Sequence, residues 1–433
     1  MSINVSFSDI SRYDESASFN MDAIINQVSI DTRKIKPGQT YLAVVGKHFN
    51  GHDFIAEAIN RGAASVIISS NMKVDLPMLR VNNTVDTLGF ISRLYRDRLT
   101  AIIIGITGSS GKTTVKQMLQ SICDLHGKTT ATIASYNNTI GVPLTLLSAA
   151  YDDEIIVIEV GTNKQGEVSY LADIVHPDIS VITNISESHL SGLGKNDDVF
   201  IEKSSLIRHT NSDGLVAVNI DDNYSEKILS LISGRATVTY GFYHDADVHV
   251  INQEKSIITV TSPKGELTYK LDVLGKHNIS NSMAAISLAQ AAGVHNDTII
   301  AGLEKFKGVS GRLQIQQLSH NIILIDDTYN ANLASSYAAL DVLATYPGRK
   351  LFVYAGMAEL GENTNEFHRN IGEKAQNIGV DQLYIFGESA RSTYNVFSGN
   401  KFYFDGIEDL SRNLGYKLTD GDTILIKGSR CYK

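Results

Sequence analysis

The chain has only two cysteines, Cys123 and Cys431, among 433 residues, with neither CxxC spacing nor a paired framework. A disulfide-built fold is thereby excluded, and a reducing compartment fits. Long apolar runs are also missing. The longest, such as 101–106, are strand-length and far short of the ~20 residues that a membrane helix needs. The first residues, MSINVSFSDISRYDES, carry no basic segment followed by an apolar one, so no signal peptide is expected. Positive charge is in deficit, 38 Lys and Arg against 47 Asp and Glu, for a net charge of −9. The pI near 5.7 argues against a nucleic-acid coat while leaving room for a local phosphate pocket. No low-complexity tract, long charge run or internal repeat occurs. The expectation is a cytoplasmic protein with no nucleic-acid partner and no membrane insertion.

Its length suits about three domains. Hydrophobic residues make up 43% and charged residues 20%, enough apolar material for sizeable cores. Residues 24–98 mix short strands at 40–45 and 65–69 with a helix-like 53–61, a small α/β block. From Ala101 onward, apolar runs (IIIGI, IIVIEV, DISVITNI) alternate with helical segments starting near Lys112, Gly166 and Asn196. Such alternation indicates a mainly parallel sheet covered on both faces. Residues 236–272 read as antiparallel strands with a polar turn at 263–265, and 278–292 as a helix. After Gly311, IILID, LFVYAG, LYIFG and TILIKG repeat the alternation as a doubly wound block. The expected α/β domains are 1–98, 99–312 and 313–433.

The strongest local signal is IIIGITGSSGKTTVKQMLQSI, a buried strand running into a Gly/Ser-rich loop and then a helix. Gly108 and Gly111 let the backbone curl, so that amides of Gly108, Ser109, Ser110, Gly111, Lys112, Thr113 and Thr114 can converge on phosphate oxygens at a helix N-terminus. Lys112 would reach the β/γ-phosphates, and the Thr113 hydroxyl would bind Mg²⁺. The general phosphate-loop pattern has its first glycine where this chain has Ile106, so the motif is a TGxxGKTT variant. A nucleotide site does not define a reaction, since kinases, GTPases, motor ATPases and ligases share it.

Further along come YNNTIGVPLTLL, IEVGTNKQGE, SHLSGLG, IEKSSLI, LGKHNISNSMAA, Gly311-Arg312, IDDTYNAN, GMAELGE and ILIKGSR. In that order and spacing they resemble the Mur ligases, over roughly residues 29–430. DTRKIKPGQTYLAVVGKHFNGHDF and NNTIGVPLTLL are most similar to the branch that joins D-alanyl-D-alanine to UDP-N-acetylmuramoyl-tripeptide. The resemblance implies a UDP-substrate domain, a central ATPase domain and a C-terminal Rossmann-like domain that binds the incoming amine. It implies ATP and Mg²⁺ as cofactors and an acyl-phosphate intermediate in peptidoglycan precursor synthesis. A monomer acting on those two small molecules is expected.

The same resemblance implies roles. Lys112, His189, Lys203 and Arg312 form the catalytic set, and Thr113, Glu159 and His189 the metal ligands. Lys203 stands where the family carries a lysine carbamylated by CO₂, although Ser204-Ser205 follow it instead of the frequent Gly-Glu. Asn278 and Asn281 would lie near the adenine, with Arg312 at the γ-phosphate and Asp327, Tyr329 and Asn330 near ribose and base. Asp31, Thr32 and Arg33 would meet the uridine diphosphate, and Asn137, Asn138, Lys427, Ser429 and Arg430 the substrates. Blander readings stand beside these: Asp326 and Asp327 as a helix N-cap, Asn137-Asn138 as a turn, and His368 as structural. Two departures from the family are visible. Ala355-Gly356-Met357 replaces the usual Gly-Asp-Met, and the chain ends three residues after Arg430, without the customary final helix. They keep open a ligase for a different amino acid or dipeptide, and, from another class, an inactive nucleotide-binding homologue.

Overall fold

The computed structural model describes residues 3–46, 49–187, 190–273 and 275–432, apart from the side chains of Leu190, Ser191 and Glu362. Its centre is a nine-stranded sheet. Ile102–Thr107 lies between Ile155–Glu159 and Ile179–Ile182, parallel to both. The chain thus leaves the first strand of this sheet in both directions, which opens a crevice beyond its carboxyl end. The apolar runs form this part because both faces are covered: Ile104, Ile106, Val157 and Val181 pack against Met118, Met283 and Ile286, while Ile103, Ile156 and Ile158 pack against Leu88, Leu146 and Leu171. Each such side chain contributes about 1.5–3 kcal/mol when fully buried.

Residues 236–272 depart from the expected antiparallel arrangement. Ala236–Gly241 pairs parallel with both Leu215–Asn219 and Val248–Glu254, and antiparallel pairing begins only between Val248–Glu254, Ile257–Thr261 and Leu267–Lys270. The five-residue spacing of the last two strands, 262–266, permits a hairpin, whereas the 242–247 connection makes a parallel return. The closing helix runs Lys276–Ala291.

The C-terminal sheet has six strands in the order Gln314–Gln317, Ile323–Asp327, Thr423–Lys427, Lys350–Tyr354, Gln382–Phe386 and Asn400–Phe404. All neighbours are parallel except the first pair. The two outer strands escaped the apolar-run reading because Gln314–Gln317 is mostly exposed and Asn400–Phe404 is half-buried. The N-terminal sheet has five short strands, and its Leu42, Ile67 and Leu79 belong to the same core as Ile103 and Ile156 of the central sheet. The expected helix at 53–61 is a 3₁₀ turn, Gly51–Phe54, followed by the α-helix Ile55–Asn60. Among the described residues no helix is long and apolar enough to cross a membrane.

Candidate active site

The loop after Ile102–Thr107 is shaped by its glycines and by the neighbouring strand end. Gly108 has φ +149°, and a Cβ there would sit 1.9 Å from Thr183 Oγ1. Gly111 has φ +82°, and its Cβ would sit 2.5 Å from Asn281 Oδ1. Side chains are excluded at both. Asn184 accepts from Ser110 N at 3.0 Å through Oδ1, its carbonyl accepts from Ser109 N at 2.9 Å, and Thr183 Oγ1 donates to the Ser110 carbonyl at 2.5 Å. Thr113 and Thr114 are buried in the first turn of Lys112–His126. Lys112 Nζ donates back to the Gly108 carbonyl at 2.6 Å. Burial pushes its ammonium down to about 8, against the pull of Glu159 and with the push of Arg312.

Glu159 ends the adjacent strand and is 1% exposed. Its Oε1 accepts from Thr113 Oγ1 at 3.0 Å and from Asn137 Nδ2 at 2.8 Å. Its Oε2 is buried with no hydrogen-bond partner among the described residues. A buried carboxylate oxygen without a donor is expensive, and a cation removes the penalty. A carboxylate and a hydroxyl are hard oxygen donors, so the residues present fit Mg²⁺. His189, the other expected ligand, lies outside the described residues. Among the described residues no three His, Cys, Asp or Glu side chains gather on one point.

Lys203, in the helix Asn196–Arg208, is 1% exposed, and burial and nearby Lys112 hold its amine well below the ordinary lysine value. Beside it, Glu202 accepts from Gly166 N and Val168 N, both at 2.7 Å, tying the loop after Glu159 to this helix.

The C-terminal sheet reaches the same place. Arg312 Nη2 donates to Thr113 Oγ1 at 3.0 Å, and its buried Nε has no hydrogen-bond partner among the described residues. Asn332 Nδ2 donates to Ser110 Oγ at 3.0 Å. Arg430 extends to Ser135 Oγ at 3.5 Å. Buried Asn278 accepts at Oδ1 from Asn281 Nδ2 at 3.2 Å, directly behind Gly111. Ser110, Asn278, Asn281, Arg312, Asn332 and Arg430 line one cleft of roughly 1970 Å³.

Lys427, Asp327, Asn330, Asn138 and Ser429 line the same cleft, and several of them also bond within the protein. Lys427, 2% exposed, donates to Asp327 Oδ2 at 2.5 Å and to the Asn330 carbonyl at 3.1 Å, while Asp327 Oδ1 accepts from Leu313 N at 3.2 Å. This buried pair ties two neighbouring strands of the C-terminal sheet to the connection at 311–313. The N-cap of Leu333–Ala344 is Asn332 and not the Asp326-Asp327 pair, and Asp326 accepts from Thr328. Asn137 and Asn138 part company: the first holds Glu159, whereas Asn138 Oδ1 accepts from Gly141 N at 2.9 Å in a turn. Ser429 Oγ accepts from Ala358 N at 2.9 Å. Asp31, Thr32 and Arg33 are not brought into the cleft. Arg33 pairs with Asp31 at 2.9 Å, and Thr32 Oγ1 donates to Glu57 at 3.0 Å.

The sequence reading missed Thr183, Asn184, Glu202, Ser135 and Asn332. Thr183 and Asn184 end the run DISVITNI, where polar residues after a buried strand were the available signal. Lys116 was missed as well. It is 1% exposed, donates to the Thr132 carbonyl at 2.7 Å, and Thr132 Oγ1 in turn accepts from Glu159 N at 2.9 Å.

Models of the Mur ligase family catalytic domain, the Mur ligase middle domain and the Mur ligase glutamate ligase domain match residues 24–95, 106–289 and 311–430. The UDP-N-acetylmuramoyl-tripeptide–D-alanyl-D-alanine ligase of Escherichia coli (strain K12) is 34% identical over 417 residues, covering 94% of this chain and 92% of its own. The chain belongs to the Mur ligase family. It is an ATP-dependent enzyme of Mur ligase type. The Bacillus subtilis (strain 168) ligase of the same description is 30% identical over 95% of this chain and 92% of its own. Among solved structures, MurF from Acinetobacter baumannii superposes with a TM-score of 0.89 at 28% identity, covering 98% of this chain and 95% of that one. MurF from Thermotoga maritima in complex with ADP gives 0.84 at 26% identity, covering 94% and 95%. Use of ATP and Mg²⁺ is typical of this fold.

In this Mur ligase the departure at Gly356 has a steric reason. Its φ is +89°, and a Cβ would stand 2.7 Å from Ser389 Oγ and 3.0 Å from His368 Nε2. His368 is fully buried, accepts from Met357 N at Nε2 (2.9 Å) and donates from Nδ1 to the Thr364 carbonyl (2.6 Å). The imidazole is therefore neutral, and burial lowers its pKa from the ordinary 6.5 despite the Thr364 carbonyl. A depressed value means that the contribution to stability is complete above pH ~6.5 and is lost as pH falls through the folded value. His368→Ala is expected to lower unfolding free energy by about 2–4 kcal/mol, from an orphaned Met357 N–H and a cavity. Urea unfolding of wild type and His368→Gln at pH 7.5 and 5.5 checks the sign. Wild type should lose more on acidification, and equal losses would refute the neutral-imidazole role.

Proposed function

We propose that this chain ligates D-alanyl-D-alanine to UDP-N-acetylmuramoyl-tripeptide with ATP, giving ADP and phosphate, in peptidoglycan precursor synthesis. The observation that carries the reading is the convergence on Thr113. Its hydroxyl donates to Glu159 Oε1, the other oxygen of that carboxylate having no partner among the described residues, and accepts from Arg312 of the connection to the C-terminal sheet. Joining a carboxylate to a triphosphate brings anions together, so positive groups must separate them. Glu159 and Thr113 would hold Mg²⁺, which supplies charge neutralisation between the two anions. The loop amides and Lys112 take the β- and γ-phosphates, and the free Nε of Arg312 is aimed to donate to the transferring group.

The acceptor carboxylate oxygen attacks the γ-phosphorus, the bond to the β-phosphate oxygen breaks, and ADP leaves. The amine nitrogen of the dipeptide then attacks the acyl carbon and loses a proton, and phosphate departs. Asn278 and Asn281 are proposed for the adenine side, and Tyr329 and Asn330 for the nucleotide edge of the C-terminal sheet. Asp31, Thr32 and Arg33 are proposed for the uridine diphosphate. Ser429 and Arg430 are proposed for the substrate side. The proposed domains remain 1–98, 99–312 and 313–433.

Lys203 is proposed as the carbamylated lysine. Its buried amine, disfavoured as a cation by burial and by Lys112, is the form that adds CO₂, giving the carbamate anion and a proton. The anion would sit near the positive charge of Lys112.

The test is phosphate release with ATP, acceptor and dipeptide, each omitted in turn. Turnover is expected only with all three. Phosphate released without the dipeptide, or no release with the full set, would contradict the proposal. Gly356 in place of the family's usual Asp removes a carboxylate from its loop, which gives a second reading in which the amine differs from D-alanyl-D-alanine. Higher turnover with another amino acid or dipeptide in the same assay would select it.

A further inference from the structure

We propose that Tyr329 is a positioning residue whose ring face, and not its hydroxyl, holds the Arg312 guanidinium at the phosphate loop and shares it with Arg430. The Arg312 guanidinium carbon lies 4.2 Å from the Tyr329 ring centroid, and that of Arg430 lies 5.9 Å from it. One arginine comes from the connection between the central and C-terminal sheets, and the other from the segment after the last strand. Both reach back to the central sheet, Arg312 to Thr113 and Arg430 to Ser135. Tyr329 is itself anchored to the first of them, since its backbone N–H donates to the Gly311 carbonyl at 2.9 Å. Gly311 has φ +68°, the turn that brings the two segments together.

The chemistry of the platform matters. A carboxylate partner would orient Arg312 equally well, but it would take up N–H donors and cancel the charge that a phosphoryl group needs. An aromatic face attracts the cation through its quadrupole and itself takes up no N–H donor. The structure agrees on both points. Arg312 forms no ion pair among the described residues, and its buried Nε is left without a hydrogen-bond partner among them. Because the ring also approaches Arg430, proposed for the substrate side, it places the phosphoryl-facing and substrate-facing cations on one rigid support.

The inference rests on the proposed ligase reading. It is tested with purified full-length wild type, Tyr329→Phe and Tyr329→Leu by measuring kcat, KM for each substrate and ADP affinity by calorimetry, with thermal melting as a folding control. Tyr329→Phe keeps the ring face and should retain at least about fivefold more kcat than Tyr329→Leu. Tyr329→Leu should lose about tenfold in kcat, the scale of a partly desolvated cation–π contact, a larger loss than in ADP affinity. A Tyr329→Phe variant as impaired as Tyr329→Leu would move the role to the hydroxyl and overturn the inference. So would a Tyr329→Leu loss confined to ATP KM and ADP affinity, or no loss at all. Wild type that fails to turn over the full substrate set rejects the ligase reading instead, so the two failures are distinguishable.

Discussion

Lys203→Ala and Lys203→Arg are both expected to lose about a thousandfold or more in kcat, the scale of removing a preorganised charged group from a catalytic centre. Arginine is the informative substitution. If position 203 served as a cation, Arg would retain part of the activity, because it keeps the charge and is never neutral at working pH. If the position serves as a carbamate, Arg is as damaging as Ala, since a guanidinium does not capture CO₂. The structure argues for the second outcome. The side chain is 1% exposed, and beside Lys112 it would be a second buried cation held against repulsion. Stripping CO₂ from the buffer should lower wild-type turnover, and added bicarbonate should restore it, with no response in either variant. Retained activity in Lys203→Arg, or wild-type turnover indifferent to CO₂, would rule out carbamylation.

What was readable in the chain, and what was not, divides by the range of the interactions. The phosphate loop could be read because its whole device is contiguous. The strand Ile102–Thr107, the positive-φ glycines Gly108 and Gly111 and the helix Lys112–His126 follow one another within 25 residues, 102–126. The central and C-terminal sheets were legible in their buried strands, where apolar runs announce coverage on both faces. Their edges were not, because Gln314–Gln317 is polar and borrows its strand conformation from Ile323–Asp327 alone.

The pairings across the cleft were hidden for a different reason. The bonds from Asn332 to Ser110 and from Arg312 to Thr113 join residues about 200 positions apart, and no local pattern records them. The family resemblance nominated Asp327 and Lys427 as separate ligand contacts, and only the parallel pairing of their strands places one on the other. Lys116 was overlooked for the opposite reason. It sits one turn after Lys112 in a helix whose lysines look solvated, and its burial under the sheet is a tertiary fact.

Glu159→Gln is expected to separate activity from stability. The substitution keeps the shape and an oxygen for Thr113 and Asn137, but it removes the negative charge from a side chain that is 1% exposed. Its Oε2 is buried without a hydrogen-bond partner among the described residues. Removing the charge relieves desolvation at Oε2, a gain that should exceed the lost attraction to Lys112 and Lys116, so the variant should melt about 2 °C or more above wild type in the absence of nucleotide and metal. The same change removes an anionic oxygen proposed for Mg²⁺, so kcat should fall about 100- to 1000-fold, and calorimetry should show weaker Mg²⁺-dependent ADP binding. A residue placed only for packing gives the reverse pattern: lowered melting temperature and preserved turnover. Lys116→Met supplies the contrast. It removes the Lys116 bond to the Thr132 carbonyl together with the charge facing Glu159, and it should lower melting temperature where Glu159→Gln raises it. Buried polar residues that are worth more to function than to the fold are recognised by this opposition. Melting curves of the two variants, set beside their turnover, assign Glu159 to the reaction or to the fold.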